Sequence, residues 1–370
     1  MHIRRWKRAG LTGYIALLLL TLAGCGLQGP QSTLDPSGPV AQYQMNVFLV
    51  TFWVSVGIFL VVGSFMVFCL YKFRHTGEVK RGENLPDQGH GSAIVELGLI
   101  LVSVGLVGIM VLPTLQGIFW VGTLPPQENP LVIKVTGLQW WWRFEYPEEG
   151  VVTGNELAIP AGRPVKFELH TADVIHSFWV PRLGGKMDLM PGQDNWLWLE
   201  ADPDMKDAVP LPEDSPFQGS YFYGQCAEFC GESHAFMRFR VVVLDDTNFQ
   251  KWVEHQKSDA VSPSTVAEDL GQQAFMKNQC ASCHTIRGVK GAGGMVGPDL
   301  THVGSRVSIA AGIMDNNVDN LIKWIHTPNY YKPGNIMYKT GYAPKEEGGM
   351  GVQLSDDDVV NLAKYLYSLK

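Results

Sequence analysis

Cys226-Ala-Glu-Phe-Cys230-Gly-Glu-Ser-His234-Ala-Phe-Met237 packs two thiols, an imidazole and a thioether into one short stretch. Thiolate and thioether favour copper, while imidazole suits copper, zinc or iron. A structural zinc site takes four ligands, usually as two close pairs such as Cys-x2-Cys and His-x3-His. Here the cysteines stand further apart, the thioether is extra, and a further His has to come from elsewhere. The stretch therefore reads as a copper electron-transfer site, with a Cys226–Cys230 disulfide in an exported loop as the alternative. Directly after it, Arg238-Phe-Arg-Val-Val-Val-Leu244 reads as a strand, which places the cluster inside a β region.

That region reaches back to Leu131. Leu131-Val-Ile-Lys-Val-Thr136 and Val165-Lys-Phe-Glu-Leu-His170 alternate, and Asn195-Trp-Leu-Trp-Leu-Glu200 follows. Gly- and Pro-rich turns separate them, and short strands so spaced imply a sandwich or barrel. His176, in Asp173-Val-Ile-His-Ser-Phe-Trp-Val-Pro181, is the best candidate for the missing imidazole. The run Gln139-Trp-Trp-Trp-Arg-Phe-Glu-Tyr146 reads mostly as core and inter-sheet packing.

Downstream, a short polar-aromatic segment around Phe249 and Trp252 leads into a Pro- and Ser-containing linker. Helical patterning takes over at Val266–Lys277, Val318–Ile325 and Ser355–Leu369. The last begins with Ser355 as N-cap and Asp356, Asp357 and Asp358 in its first turn. Between these helices lies Cys280-Ala-Ser-Cys283-His284. The thiols of C-x-x-C-H add to the vinyl groups of haem and the adjacent His ligates the iron. A thioredoxin-type dithiol wants a strand before and a helix after; here a helix precedes and a Gly-rich loop follows, which favours haem. Candidates for the second axial ligand are Met295, Met314, Met337, Met350, His302 and His326.

Upstream, Met45 to Tyr71 holds no charged residue and Ala93 to Val121 is a second apolar run; each is long enough to cross a bilayer. Cys69, inside the first, reads as a small apolar filler. Lys72, Arg74, Lys80 and Arg81 between them make that loop cytoplasmic, so both ends lie outside. Glu96 stands at the start of the second span, where a carboxylate is either functional or at the interface with water. Residues 1–24 read as an export signal, with Arg4, Arg5, Lys7 and Arg8 before an apolar run. Leu22-Ala-Gly-Cys25 resembles a bacterial lipoprotein cleavage box, which implies lipidation of Cys25; one acyl chain anchors only weakly.

The 370 residues suggest two or three domains. The net charge of −7 and the lack of a basic patch interleaved with aromatics argue against nucleic-acid binding. Four of the six cysteines sit in two tight motifs, a pattern for metal and cofactor attachment rather than a disulfide framework.

His176 with its flanks, Gly185-Lys-Met-Asp188, Met190-Pro-Gly192 and the Cys226–Met237 cluster together resemble subunit II of haem-copper oxygen reductases. The resemblance implies a multidomain chain: a two-helix transmembrane hairpin, an all-β cupredoxin-like barrel and an all-α cytochrome c domain. The expected divisions are a signal at 1–24, linker 25–40, hairpin 41–125, copper domain 126–250, linker 251–264 and cytochrome c domain 265–370. It implies a dinuclear copper centre, CuA, bridged by Cys226 and Cys230. His176 and His234 would each bind one copper, Met237 one, and the Glu228 carbonyl the other. The Glu228 side chain would reach a magnesium shared with subunit I. Trp140 matches the family's electron-accepting Trp. Glu96 resembles a carboxylate at the mouth of a proton path, although Leu99 and Ser103 stand where the family often has Trp and Pro.

Lys332-Pro-Gly-Asn-Ile-Met337 looks like the distal loop of small class I cytochromes c, which makes Met337 the expected second ligand to the iron. Gly297-Pro298-Asp299-Leu300 matches the loop whose proline carbonyl orients the ligand His. The implied protein is the second subunit of a caa-type oxidase in a bacterial membrane, with the copper and cytochrome domains on the outer face. Its partners would be membrane lipid, subunit I with the other oxidase subunits, and cytochrome c or another donor. The rivals are a copper-containing nitric oxide reductase and a tethered electron carrier or copper-delivery protein acting alone. A quinol oxidase subunit is disfavoured, because the copper ligands are intact.

Overall fold

The computed structural model describes residues 29–74, 89, 91–125, 130–204 and 208–370. The expected signal, Cys25, and Lys80 and Arg81 of the loop between the spans lie outside the described residues.

Two helices come first, α1 (Pro39–Lys72) and α2 (Ala93–Val121). Both are long and apolar enough to cross a membrane. The second has the expected bounds. The first begins earlier than expected, with Pro39 supplying a preset φ at its first turn. At 1.5 Å per residue a helix of 34 residues is about 50 Å long, well beyond an apolar layer of about 30 Å. The excess meets the β region: Val40 and Ala41 are buried, and the Ala41 N–H donates to Leu183 O. The two helices touch where the Tyr43 hydroxyl donates to Pro113 O, its ring against Gly117, at which any Cβ would meet it at 2.4 Å.

Two sheets form the middle of the chain. The first has the order β3 (Val151–Gly154), β2 (Trp141–Tyr146), β1 (Leu131–Leu138), β5 (Val165–Thr171), β8 (Asn195–Leu199). The second runs β4 (Glu156–Pro160), β11 (Arg238–Leu244), β10 (Gly219–Cys226), β6 (His176–Trp179), β7 (Met187–Leu189), with β9 (Val209–Pro210) beside β10. The pairs β1–β5 and β4–β11 are parallel. Inward residues of both sheets meet in one core, where Phe178 stacks on Phe239 and Trp142, Phe144 and Phe167 meet them edge-on or tilted. The aromatic run expected to be packing is thus the strand β2 as well. The segment around Phe249 and Trp252 is a helix, α3 (Asp246–Lys257), capped by Asp245 and packed on Tyr146. It occupies the first half of the expected linker, leaving 258–264 as the connection.

The C-terminal portion folds around a second core. α4 (Val266–Lys277) carries a full capping box of Thr265 and Glu268, and α7 (Asp356–Ser368) is capped by Ser355. These two helices pack on each other through Gly271, whose Cβ would strike Asn361 O at 2.2 Å. Between them come a two-residue ribbon of β12 (Ser308–Ile309) and β13 (Met314–Asp315), then α5 (Val318–His326) and α6 (Pro328–Tyr331).

Candidate metal and cofactor sites

The first site lies where β10 ends and β11 begins. The Cys226 N–H donates to Met237 O, which closes residues 226–237 into a loop, and the Ala227 N–H donates to Ser177 O on β6. A tight turn at His234–Phe236 then folds the loop inward. Cys226 Sγ and Cys230 Sγ are 3.8 Å apart and both cysteines are free, against a disulfide bond of about 2.05 Å. His234 Nδ1 is 3.5 Å and Met237 Sδ 3.8 Å from Cys230 Sγ. His176 Nδ1 is 3.9 Å and Glu228 O 3.3 Å from Cys226 Sγ. All six expected residues are therefore brought together. Among the described residues, His176, Cys226 and Cys230 form the cluster able to hold a metal ion, their donor atoms within 4.8 Å of one another.

His176 is fully buried at the first residue of β6. Gly137 on β1 makes room for it, since a Cβ there would lie 2.6 Å from its ring. Its Nε2 is 2.9 Å from Asp173 Oδ1. A carboxylate only accepts, so Nε2 carries the proton and Nδ1 keeps its lone pair toward the sulfurs. Burial works against charge on this imidazole, but Asp173 and Cys226 outweigh it and hold its pKa above the ordinary value. The hydrogen bond from the Cys230 thiol pulls Cys226 down toward a thiolate and pushes Cys230 up. A buried thiolate beside a second thiol, a thioether and two imidazoles fits copper by donor softness. Asp173 and Gly137 carried no separate signal in the sequence, since their roles come from contacts across strands.

Glu228 points its carboxylate outward, where Oε1 accepts from the Phe229 N–H. Glu96 stands in the first turn of α2, where the helix dipole itself favours a carboxylate.

The second site is a cavity of about 180 Å³ in the C-terminal portion, lined by Cys280, Cys283, His284, Met337 and Met350 among apolar side chains. The turn at Cys280–Ser282 follows α4 directly, with Gln279 in the left-handed region reversing the chain. Burial pushes the Cys280 thiol up to about 11 and also raises Cys283. The His284 ring fits because residue 297 is Gly; a Cβ there would lie 2.5 Å from it. His284 Nδ1–H donates to Pro298 O at 2.8 Å, which leaves Nε2 free to ligate. The expected role of Pro298 in orienting His284 is thus matched by geometry. Of the other candidate ligands, Met295 is exposed, His302 packs on His255 and His326 faces Asp356. Met314 does not line the cavity either, whereas Met337 and Met350 both do. An apolar cavity with two thiols, an oriented imidazole and a thioether fits a covalently bound haem.

Trp140 joins the two sites. It lines the cavity, and its indole Nε1–H donates to Cys230 O at 2.9 Å.

Residues 149–244 match the family profile described as cytochrome c oxidase subunit II, periplasmic domain, and residues 268–370 match that of cytochrome c. Cytochrome c oxidase subunit 2 of Alkalihalophilus pseudofirmus is 35% identical over 373 residues, covering 100% of this chain and 99% of that one. The chain belongs to the cytochrome c oxidase subunit 2 family. Its counterpart from Bacillus subtilis is 32% identical over 381 residues, again with 100% and 99% covered. The crystal structure of the periplasmic domain of subunit II from Bradyrhizobium japonicum is 33% identical, with 35% of this chain and 96% of that one covered and a TM-score of 0.30. Within the family, this chain is a membrane protein with a cupredoxin-like β domain and a fused cytochrome c.

Proposed function

We propose that this subunit receives electrons at its cytochrome portion and passes them through its copper portion to a partner subunit, where oxygen is reduced. The convergence of Cys226, Cys230, His234 and Met237 from one loop with the buried His176 of β6 carries the reading. His176, Cys226, Cys230, His234, Met237 and the Glu228 carbonyl would together hold two coppers. Cys280 and Cys283 would tether one haem c, with His284 and Met337 on its iron. Copper and haem would supply reversible one-electron storage, which no side chain here provides by itself.

The chain's own residues do the rest. Asp173 fixes the tautomer of His176, and Pro298 does so for His284. The buried aromatic core beneath the loop excludes water and holds the ligands in one arrangement. Trp140 provides a short bonded route from the cavity wall to the backbone of Cys230. Covalent fusion replaces diffusion of a carrier with a high effective concentration. The exposed Glu228 carboxylate, beside exposed Phe229, is the group offered to a magnesium shared with the partner.

Lipidation at Cys25 and an outward-facing copper domain complete the proposed setting in a bacterial membrane. Glu96 would carry protons only if water reaches the first turn of α2. Metal and haem analysis of the purified complex tests the central reading. At least two coppers per haem c, with oxygen rather than nitric oxide consumed, are expected; zinc without copper refutes it.

A further inference from the structure

The loop that carries Met337 also carries a lysine that reaches into the other portion of the chain. Lys332 is 3% exposed, and its ammonium donates to three backbone carbonyls from three separate segments. These are Trp140 O at 2.5 Å, Phe236 O at 2.9 Å and Ala310 O at 3.4 Å. Trp140 leads into β2, Phe236 lies in the copper loop, and Ala310 follows β12 and lines the haem cavity. An ammonium has three N–H groups, one for each acceptor. Burial lowers its pKa to about 7; a neutral amine has only two N–H groups, so all three carbonyls are satisfied only in the ammonium form.

Other contacts close around this point. The Ser233 hydroxyl donates to Pro333 O at 2.5 Å, and the Arg238 N–H donates to Ala311 O at 3.0 Å. Gly334, at φ +70°, lies so close to Glu232 and Trp140 that a Cβ would strike the Glu232 carboxylate at 2.4 Å. Lys339 stands 5.5 Å over the Trp140 ring. Residues 334 and 339 thus both lie against the indole, while its own N–H is fixed on Cys230 O.

We propose that Lys332 is a positioning residue that bolts the cytochrome portion onto the copper portion in the pose from which electrons cross. The inference rests on the electron-relay reading above and adds that the fused cytochrome is docked rather than swinging. A single buried cation shared by three segments suits this task. Leaving it costs an unpaired charge on one side and bare carbonyls on the other. The register it fixes is that of Trp140 against both sites.

The test uses the intact oxidase with its metals in place, checked first by copper and haem content, so that failure of the relay reading is seen separately. Electron passage from haem c to copper is timed by flash-induced reduction, in buffer and in glycerol. A docked cytochrome gives a wild-type rate independent of viscosity; a rate falling in proportion to viscosity overturns the proposal without any variant. In Lys332→Met, the rate falls about tenfold or more and becomes viscosity-dependent. Both absorption spectra and the reduction of haem c by a small external reductant stay unchanged. Amide exchange at Arg238, whose N–H bonds Ala311 O across the contact, becomes faster in the same variant. An unchanged rate and unchanged exchange, with both spectra intact, refute the role. An altered haem spectrum with normal exchange at Arg238 reduces Lys332 to a support of its own loop and also refutes it.

Discussion

Replacing Asp173 by Asn tests whether copper binding depends on one proton position. Asp173 Oδ1 accepts from His176 Nε2 at 2.9 Å and from the Val174 N–H at 2.7 Å; Oδ2 accepts from the Gln139 N–H at 2.7 Å. An Asn has only one acceptor oxygen for these two places. If its oxygen faces His176, its amide N–H₂ confronts the Gln139 N–H, and the turn before β2 is strained. If it flips, His176 Nε2 must accept, the ring proton moves to Nδ1, and the lone pair turned toward the sulfurs is lost. Either arrangement weakens metal binding. Second-layer partners of metal-ligating histidines are worth about 10- to 100-fold in affinity, or about 1.4–2.7 kcal/mol. Asp173 is about one-third exposed, so water relieves part of the strain and the lower end is expected. The assay is competition for copper against a chelator of known affinity, with the haem c spectrum as a folding control. An affinity within a factor of about two of wild type would refute the tautomer argument.

Two further outcomes follow from the cavity and the junction beside it. Met337→Leu should perturb the haem c spectrum and lower its potential, while Met350→Leu should leave both nearly unchanged; the reverse result moves the axial ligand to Met350. His302 is buried against His255, with Arg287 and Asp299 nearby, and burial with the neighbouring imidazole lowers its pKa to about 4. The unfolded chain therefore binds more protons than the folded one between about pH 4 and 6.5, so this stability is present at neutral pH and lost on acidification. Going from pH 7 to 5 should destabilise the C-terminal portion by about 2 kcal/mol from this group. Thermal unfolding followed at haem c, with His302→Phe as comparison, checks it; equal pH dependence in both proteins would refute the assignment.

Much of the architecture was legible because its signals are local. Leu131, Ile133 and Val135 alternate with solvated neighbours, and Val359, Leu362, Ala363 and Leu366 recur at helical spacing. The ligand motifs were legible because soft donors are rare and here stand close in the chain. Where legibility failed, a contact from far along the chain had changed the pattern. Trp141 would be the solvent-facing neighbour of Trp142 on β2, but the cytochrome portion covers it, so alternation was lost. In β10, Gly219, Ser220 and Gly224 weaken the strand signal; Gly224 is small because Phe239 on the adjacent strand fills its place. Helix α3 did carry a signal in Phe249, Trp252 and Val253, which share one face, but it is short and otherwise polar. Lys332 is the extreme case, since a lysine in a Pro-Gly loop reads as surface until the second portion closes over it.

The upper end of α1 has a consequence for assembly. Val40 and Ala41 are buried on the β domain, Arg182 ties Asp35 to it, and the Trp198 indole donates to Val121 O at the end of α2. The spans and the copper domain are therefore spliced at both helix ends rather than hinged. Once the two helices are in the bilayer, the height and tilt of the copper loop above it are already set. A partner in the same bilayer then has only lateral diffusion and rotation about the membrane normal left to search. Meeting becomes a problem in two dimensions, and the membrane itself serves as the alignment jig.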